Sequence, residues 1–171
     1  MASAFHIRPA KPEDVQTLLD LILALATYEK AAESAKATPE LLIKNLFESP
    51  VASALLAIAG TPENPGEPLG LALYFFNFST WTGRPGLYLE DLFVKPENRN
   101  LGIGKALFAE LAVIAQEKNC ARMDWSVLTW NEPSIRFYQD VLGAKPMEGW
   151  LGMRLEEEGI ESLKKLKQKA N

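Results

Sequence analysis

The sequence predicts a mixed α/β fold, with helices packed over a mainly antiparallel sheet. Three observations lead there. Apolar periods of two and of about 3.6 residues alternate along the chain in the order β-α-α-β-β-β-α-β-α-β. The middle strands are joined by short segments rich in Gly and Pro, as hairpin loops are. A length of 171 residues suits one domain over residues 1–171 with a single core.

Residues 5–8 form a short first strand. Pro12 then stands at a first helical position, and Glu13 and Asp14 suit the positive end of a helix. Val15, Leu18, Leu19, Ile22 and Leu25 give that helix an apolar stripe running to about Thr27. Thr38-Pro39-Glu40 starts a second helix with a cap and a proline, and Leu41, Leu42, Ile43, Leu46 and Phe47 are its buried side. Strands over 52–59 and 69–78 are joined by a hairpin loop over 60–68, and 79–86 is a further turn.

Residues 87–94 are apolar or aromatic except for Glu90 and Asp91, as in a largely buried central strand. Pro96 stops it, 97–100 is a loop, and a helix over 105–118 carries Leu107, Leu111 and Ile114 on one face. A strand over 121–128 follows. Asn131-Glu132-Pro133-Ser134 opens a helix with Ile135, Phe137, Tyr138 and Val141, and Gly143 ends it. Residues 150–155 read as a last strand. Acids at 156–158 and lysines at 164, 165, 167 and 169 suit a solvated terminal helix.

Composition removes several classes of function. There is no apolar run long enough for a membrane span, and MASAFHIRP lacks the apolar core of a signal peptide. A single cysteine excludes an internal disulfide and is compatible with a reducing cytosol. One histidine and one cysteine argue against a zinc site, so no metal is expected. A net charge of −4 argues against nucleic acid and mildly for a cationic substrate.

The stretch over 87–105 organises the rest. Arg99, Gly102 and Gly104 precede a helix, where free N–H groups and close backbone approach favour an anion such as a pyrophosphate. A P-loop needs Ser or Thr after its lysine, and Ala106 follows Lys105. A dinucleotide fingerprint needs a small residue where Leu107 stands and glycines directly after the strand, yet 95–100 intervene. Asp124 lies about 20 residues past the glycines, as a ribose-binding acid would, but falls inside the next strand.

A third reading fits better. The Arg99-x-x-Gly102-x-Gly104 loop, after a strand bearing carboxylates, resembles the acyl-CoA pyrophosphate loop of the GNAT N-acetyltransferases. YLEDLFV, RNLGIGKAL, WNEPSIRFYQDVLGA and EGW, in this order, are similar to the spermidine/spermine N-acetyltransferase branch, and the similarity runs from Ile7 to Trp150. FSTWTGR and VLTWN resemble the thialysine acetyltransferases within it. The resemblance implies a GNAT-like sheet whose central strands splay, with acetyl-CoA between them. It also implies a cytoplasmic homodimer acting on a small-molecule amine.

Acetyl transfer from a thioester to an amine needs an anion site, an oxyanion donor, a base for an ammonium of pKa about 10.4, and an acid for the thiolate. Adjacent residues in a regular strand face opposite ways, so Glu90 and Asp91 share a pocket only across a bulge, which would also free an N–H near Leu92. The resemblance makes Glu90 the base through water and Asp91 a contact for the amine. The plainer alternative is an ion-paired acid and a surface acid.

Tyr138 becomes the general acid by resemblance, against the alternative of a core tyrosine with a satisfied hydroxyl. The resemblance gives the cofactor Leu92, Phe93, Val94, Arg99, Asn100, Leu101, Gly102, Ile103, Gly104, Lys105, Asn131, Ser134 and Tyr138. Helix capping is the other reading of Asn131 and Ser134. Tyr28, Glu29, Trp81, Glu90, Asp91, Asp124 and Glu148 fall to the acceptor, although a turn tryptophan such as Trp81 is more often a packing residue. An aromatic and acidic cleft would suit an alkyl diamine. No role is assigned to His6 or to Cys120, which reads as a buried, inert thiol.

Ser79 and Asp124 stand where the polyamine branch carries an acid and a histidine, which leaves thialysine, lysine or a small diamine at least as suitable as spermidine. A peptide lysine acetyltransferase, a non-catalytic CoA-binding module and an NAD-binding protein are the alternatives.

Overall fold

The computed structural model describes residues 5–167, so Lys169 lies outside the described residues. The chain forms two compact units, Met1–Ser126 and Val127–Asn171.

The first unit holds a five-stranded sheet in sequential order: β1 (Phe5–Pro9), β2 (Ser53–Thr61), β3 (Asn64–Ser79), β4 (Arg84–Val94) and β5 (Met123–Trp125). The first four pair antiparallel and β5 joins β4 in parallel. Helix α1 (Val15–Tyr28), α2 (Pro39–Ile43) and the π turn Lys44–Glu48 that continues it cover one part of the sheet. Leu18 and Leu25 of the expected stripe, joined by Leu21, pack with Leu42 and Leu46 on Ala54, Leu56, Ile58, Leu71 and Phe93, with Val15, Leu19, Ile22 and Phe47 partly buried around them. Leu41, expected on the buried side, is exposed instead, because the short α2 turns only Leu42 fully inward. Helix α3 (Ile103–Glu117) buries Leu107, Phe108 and Leu111. As expected, Thr38 caps α2, its hydroxyl accepting the Leu41 N–H at 3.3 Å.

Four boundaries differ from expectation, the first being that β4 begins at Arg84, three residues early, because Arg84, Pro85 and Gly86 pair with Ser79, Phe78 and Asn77 of β3 and shorten the turn expected over 79–86. Only Pro62 and Glu63 separate β2 from β3, because shifts in register at Ala57/Ile58 and Ile58/Gly60 absorb the Gly and Pro residues into the strands. The strand expected over 121–128 shrinks to three residues, since only Met123, Asp124 and Trp125 find partners on β4. Helix α3 starts at Ile103, two residues early. Gly102, at φ +84°, makes the left-handed turn that lets the helix begin there.

The second unit contains α4 (Glu132–Arg136), a π turn over Phe137–Val141, and α5 (Glu157–Leu163), followed by a 3-10 turn at Lys164–Leu166. Gly143, at φ +73°, follows the π turn. The last strand expected over 150–155 is not formed. A strand needs a ladder partner for its backbone groups, and this segment pairs with no strand among the described residues. Its apolar residues Trp150, Leu151, Met153 and Leu155 are exposed.

Candidate active site

The β4 ladder changes character halfway along. Leu87, Tyr88 and Leu89 pair with Met123, Asp124 and Trp125 of β5, and the pairing stops there. On the other side, Tyr74 opposes Leu89 and Leu73 opposes Asp91, so Glu90 is an extra residue without a partner. This is the bulge that two adjacent site carboxylates require. Because Leu73 and Phe75 share a face of β3, their partners Asp91 and Tyr88 share it too. The bulge has turned Asp91 off the Leu89 side.

Asp91 is half-buried, and its carboxyl is pushed up to about 6 by burial first, then by the negative charges of Glu90 and Glu29. Glu29, at the C-terminal end of α1, is half-buried and raised by desolvation. Glu90 is exposed. The negative charges of Glu90 and Glu29 therefore both bear on Asp91, an arrangement that favours a cation beside it.

Beyond the bulge, Lys95 N–H donates to the Leu69 carbonyl across β3 at 2.9 Å. Alternation then directs the backbone groups of Val94 and Leu92 away from β3, to the side β5 has left. The Val94 carbonyl accepts from Arg99 Nε at 3.1 Å. Leu92 and Val94 are half-buried, while Phe93 is buried in the core beneath α1. The edge from Glu90 to Val94 is the splay, and it runs into the glycine loop.

In that loop Asn100 (φ +64°) and Gly102 (φ +84°) are both left-handed. Leu101, Gly102 and Lys105 are exposed, Gly104 is half-buried, and Ile103 anchors the helix in the core. A Cβ added at Gly102 would meet nothing within 4 Å, so the loop is open above its backbone. The first N–H groups of a 15-residue helix have no helical acceptor, which fits this loop for a diphosphate. Arg99 turns toward the end of α1. Its guanidinium lies 4.5 Å from the centre of the Tyr28 ring, which joins the loop to the end of α1.

Asp124 lies opposite Tyr88, on the Asp91 face of the sheet, and pairs with Arg122 Nε at 2.7 Å. Trp81, in the β3–β4 turn, is 89% exposed and so is not the packing residue that a turn tryptophan usually is. Ser79 is enclosed, its carbonyl accepting the Gly83 N–H. Cys120 is half-buried, not buried, and burial raises its thiol. His6 Nδ1 lies 3.0 Å from the Gly60 carbonyl oxygen.

In the second unit, the Asn131 side chain accepts the Ser134 N–H at 3.4 Å, so it caps α4. Tyr138 falls in the π turn, whose wider bond joins Leu142 N–H to the Phe137 carbonyl at 3.2 Å. Its ring lies 5.5 Å from that of Phe137. Glu148 is exposed. Sequence reasoning passed over Arg122, Asn77 and Tyr88. The alternation Arg122-x-Asp124-x-Ser126 was the available signal of a polar strand face.

Comparison with known proteins gives these features a setting. The model of the acetyltransferase (GNAT) family matches residues 21–144. A thialysine N-epsilon-acetyltransferase of Sus scrofa is 40% identical over 172 residues, covering 95% of this chain and 98% of that protein. One from Caenorhabditis elegans is 32% identical, covering 91% and 94%. Among solved structures, an integron cassette protein from V. cholerae superposes with a TM-score of 0.76 at 26% identity, covering 96% of this chain and 99% of that one.

Proposed function

The chain belongs to the GNAT acetyltransferase family, and on that premise we propose that it transfers acetyl from acetyl-CoA to a primary amine of a lysine-like amino acid or small diamine. The observation that carries this reading is the bulge at Glu90, which turns Asp91 toward Glu29 beside a free strand edge. The names of the thialysine relatives support the acceptor class.

Acetyl-CoA supplies the activated acetyl group. The loop N–H groups at Gly102, Ile103, Gly104 and Lys105 hold its diphosphate, with Asn100 and Leu101 beside them. The backbone groups of Leu92 and Val94 line its path, with Phe93 between them holding the strand to the core, and Asn131 and Ser134 are further contacts. Glu29, Asp91 and Asp124 attract the ammonium ends of the acceptor, with Tyr28, Trp81 and Glu148 around it. Glu90 takes the amine proton through water, and Asp91 must be ionised to hold the amine. Tyr138 donates its hydroxyl proton to the leaving sulfur, as the family resemblance implies.

The chain works as one cytosolic domain over residues 1–171 and as a homodimer, a state that the exposed Trp150, Leu151 and Met153 support. Among the described residues no helix is long and apolar enough to cross a membrane.

The test is release of free thiol from acetyl-CoA with thialysine, lysine, short diamines, spermidine, spermine and a histone-tail peptide. The expected result is turnover with the small amines, strongly reduced in Tyr138→Phe. Turnover with the peptide alone would overturn the small-amine reading. Tight CoA binding without turnover on any acceptor would make the protein a binding module.

A further inference from the structure

The face of the sheet that carries Asp91 continues past the cover of α1 and α2. Leu73 is the last β3 residue on that face to pack against their core. Beyond it lie Phe75 and Asn77 on β3, their partners Tyr88 and Gly86 on β4, and Asp124 on β5 opposite Tyr88, with Arg122 and Ser126 flanking β5 at its two ends. Phe75 and Tyr88 stack at 5.1 Å with their planes 31° apart, and the Tyr88 hydroxyl lies 3.0 Å from Ser126 Oγ. The order along the face is a carboxylate, an aromatic floor, and a guanidinium.

Arg122 is built to receive something. Only its Nε is engaged, by Asp124 at 2.7 Å, so its two terminal nitrogens have no partner among the described residues. The side chain is 45% exposed. Behind it, Asn77 Oδ1 is buried without a hydrogen-bond partner. Gly86 brings the two together. A Cβ there would stand 2.3 Å from Asn77 Oδ1 and 3.3 Å from Arg122 Nε, so no other residue leaves room for both. A guanidinium with free N–H groups beside an orphan acceptor can be anchored from behind while its fork faces outward.

We propose that Arg122 binds the carboxylate of an amino-acid acceptor, with Phe75 and Tyr88 beneath its methylene chain and the Asp91 end taking its distal ammonium. The inference rests on the lysine-like acceptor proposed above and decides between its two classes. Asp91 and Tyr88 stand two β3 residues apart along the sheet, about 7 Å, and Asn77 lies a further 7 Å on. An extended lysine-like molecule fits that interval. Its carboxylate suits the planar fork of arginine, with Asp124 left to attract the α-ammonium. A diamine has no carboxylate and would bring an ammonium to the same guanidinium, which repels it. The site would therefore select amino acids over diamines of equal length.

Lysine and cadaverine, which is lysine without its carboxylate, are the matched probes. Steady-state kinetics would be run on the wild-type chain, Arg122→Gln and Arg122→Lys, with melting temperature as the check on folding. The wild type should prefer lysine. Arg122→Gln should raise KM for lysine by about 10- to 100-fold and lower KM for cadaverine, whose second ammonium the guanidinium no longer repels. Arg122→Lys should recover part of the lysine affinity. Equal loss on both amines, or no change on lysine, would overturn the proposal. Wild-type turnover of cadaverine but not lysine would overturn it too while leaving the transferase reading intact. Turnover of neither, with turnover of a peptide, would instead refute the small-amine reading itself.

Discussion

The two halves of β4 lie in one strand and meet opposite fates. From Arg84 to Leu89 the strand is paired with β3, and from Leu87 to Leu89 with β5 as well, where Leu87 and Leu89 are 0% and 2% exposed. From Glu90 to Val94 it keeps β3 but has lost β5, starts with a bulge, and places a half-buried acid on the sheet. The first half is scaffold. The second has backbone groups and carboxylates that the strand ladder leaves unused, and those are what a ligand can take up. Losing a neighbouring strand, more than gaining any residue, is what makes this part of the sheet a site.

Substitutions in the two halves should separate activity from stability. The largest effects fall on the second half. Glu90→Gln or Asp91→Asn should lower kcat/KM by about 10²- to 10⁴-fold with the fold intact by circular dichroism. Leu89→Ala in the first half should do the reverse. It removes a fully buried side chain and should cost about 2–5 kcal/mol of unfolding free energy, measured in urea, while the surviving folded enzyme keeps its KM values.

Asp91→Asn carries a second expectation with a worked sign. A carboxyl raised from 3.8 to about 6 on folding holds its proton more tightly folded than unfolded. It therefore lowers stability as pH rises between those values, and the penalty is complete above about 6. Removing the charge should stabilise the protein by about 1–3 kcal/mol at neutral pH and by little near pH 4. Equal melting curves for variant and wild type at both pH values would place Asp91 outside the strained cluster. The smallest effect concerns a cap away from β4. Asn131→Ala should cost about 0.5–2 kcal/mol, and Asn131→Asp should restore most of it, if the residue acts through the Ser134 N–H.

Much of this was legible in the sequence because it is local. Thr38 and Asn131 announced their caps, the α1 stripe announced its core, and Arg99, Gly102 and Gly104 announced a helix start that the structure places at the open end of β4. What was not legible depends on pairing. Whether Glu90 and Asp91 straddle a bulge depends on how β3 registers against them, which no local pattern encodes. Residues 150–155 have strand-like residues, but a strand exists only with a partner. Arg122 and Asn77 are 45 positions apart and meet through Gly86 on a strand between them.

The central claim is that the bulged half of β4 works through an ionised, strained Asp91. The most direct measurement is the pH dependence of kcat/KM for the lysine-like acceptor at saturating acetyl-CoA, from about pH 5 to 8. The account predicts an extra unit of slope below about pH 6, where Asp91 takes up its proton. A profile with no added slope down to pH 5 would contradict it and make Asp91 an ordinary acid of the sheet.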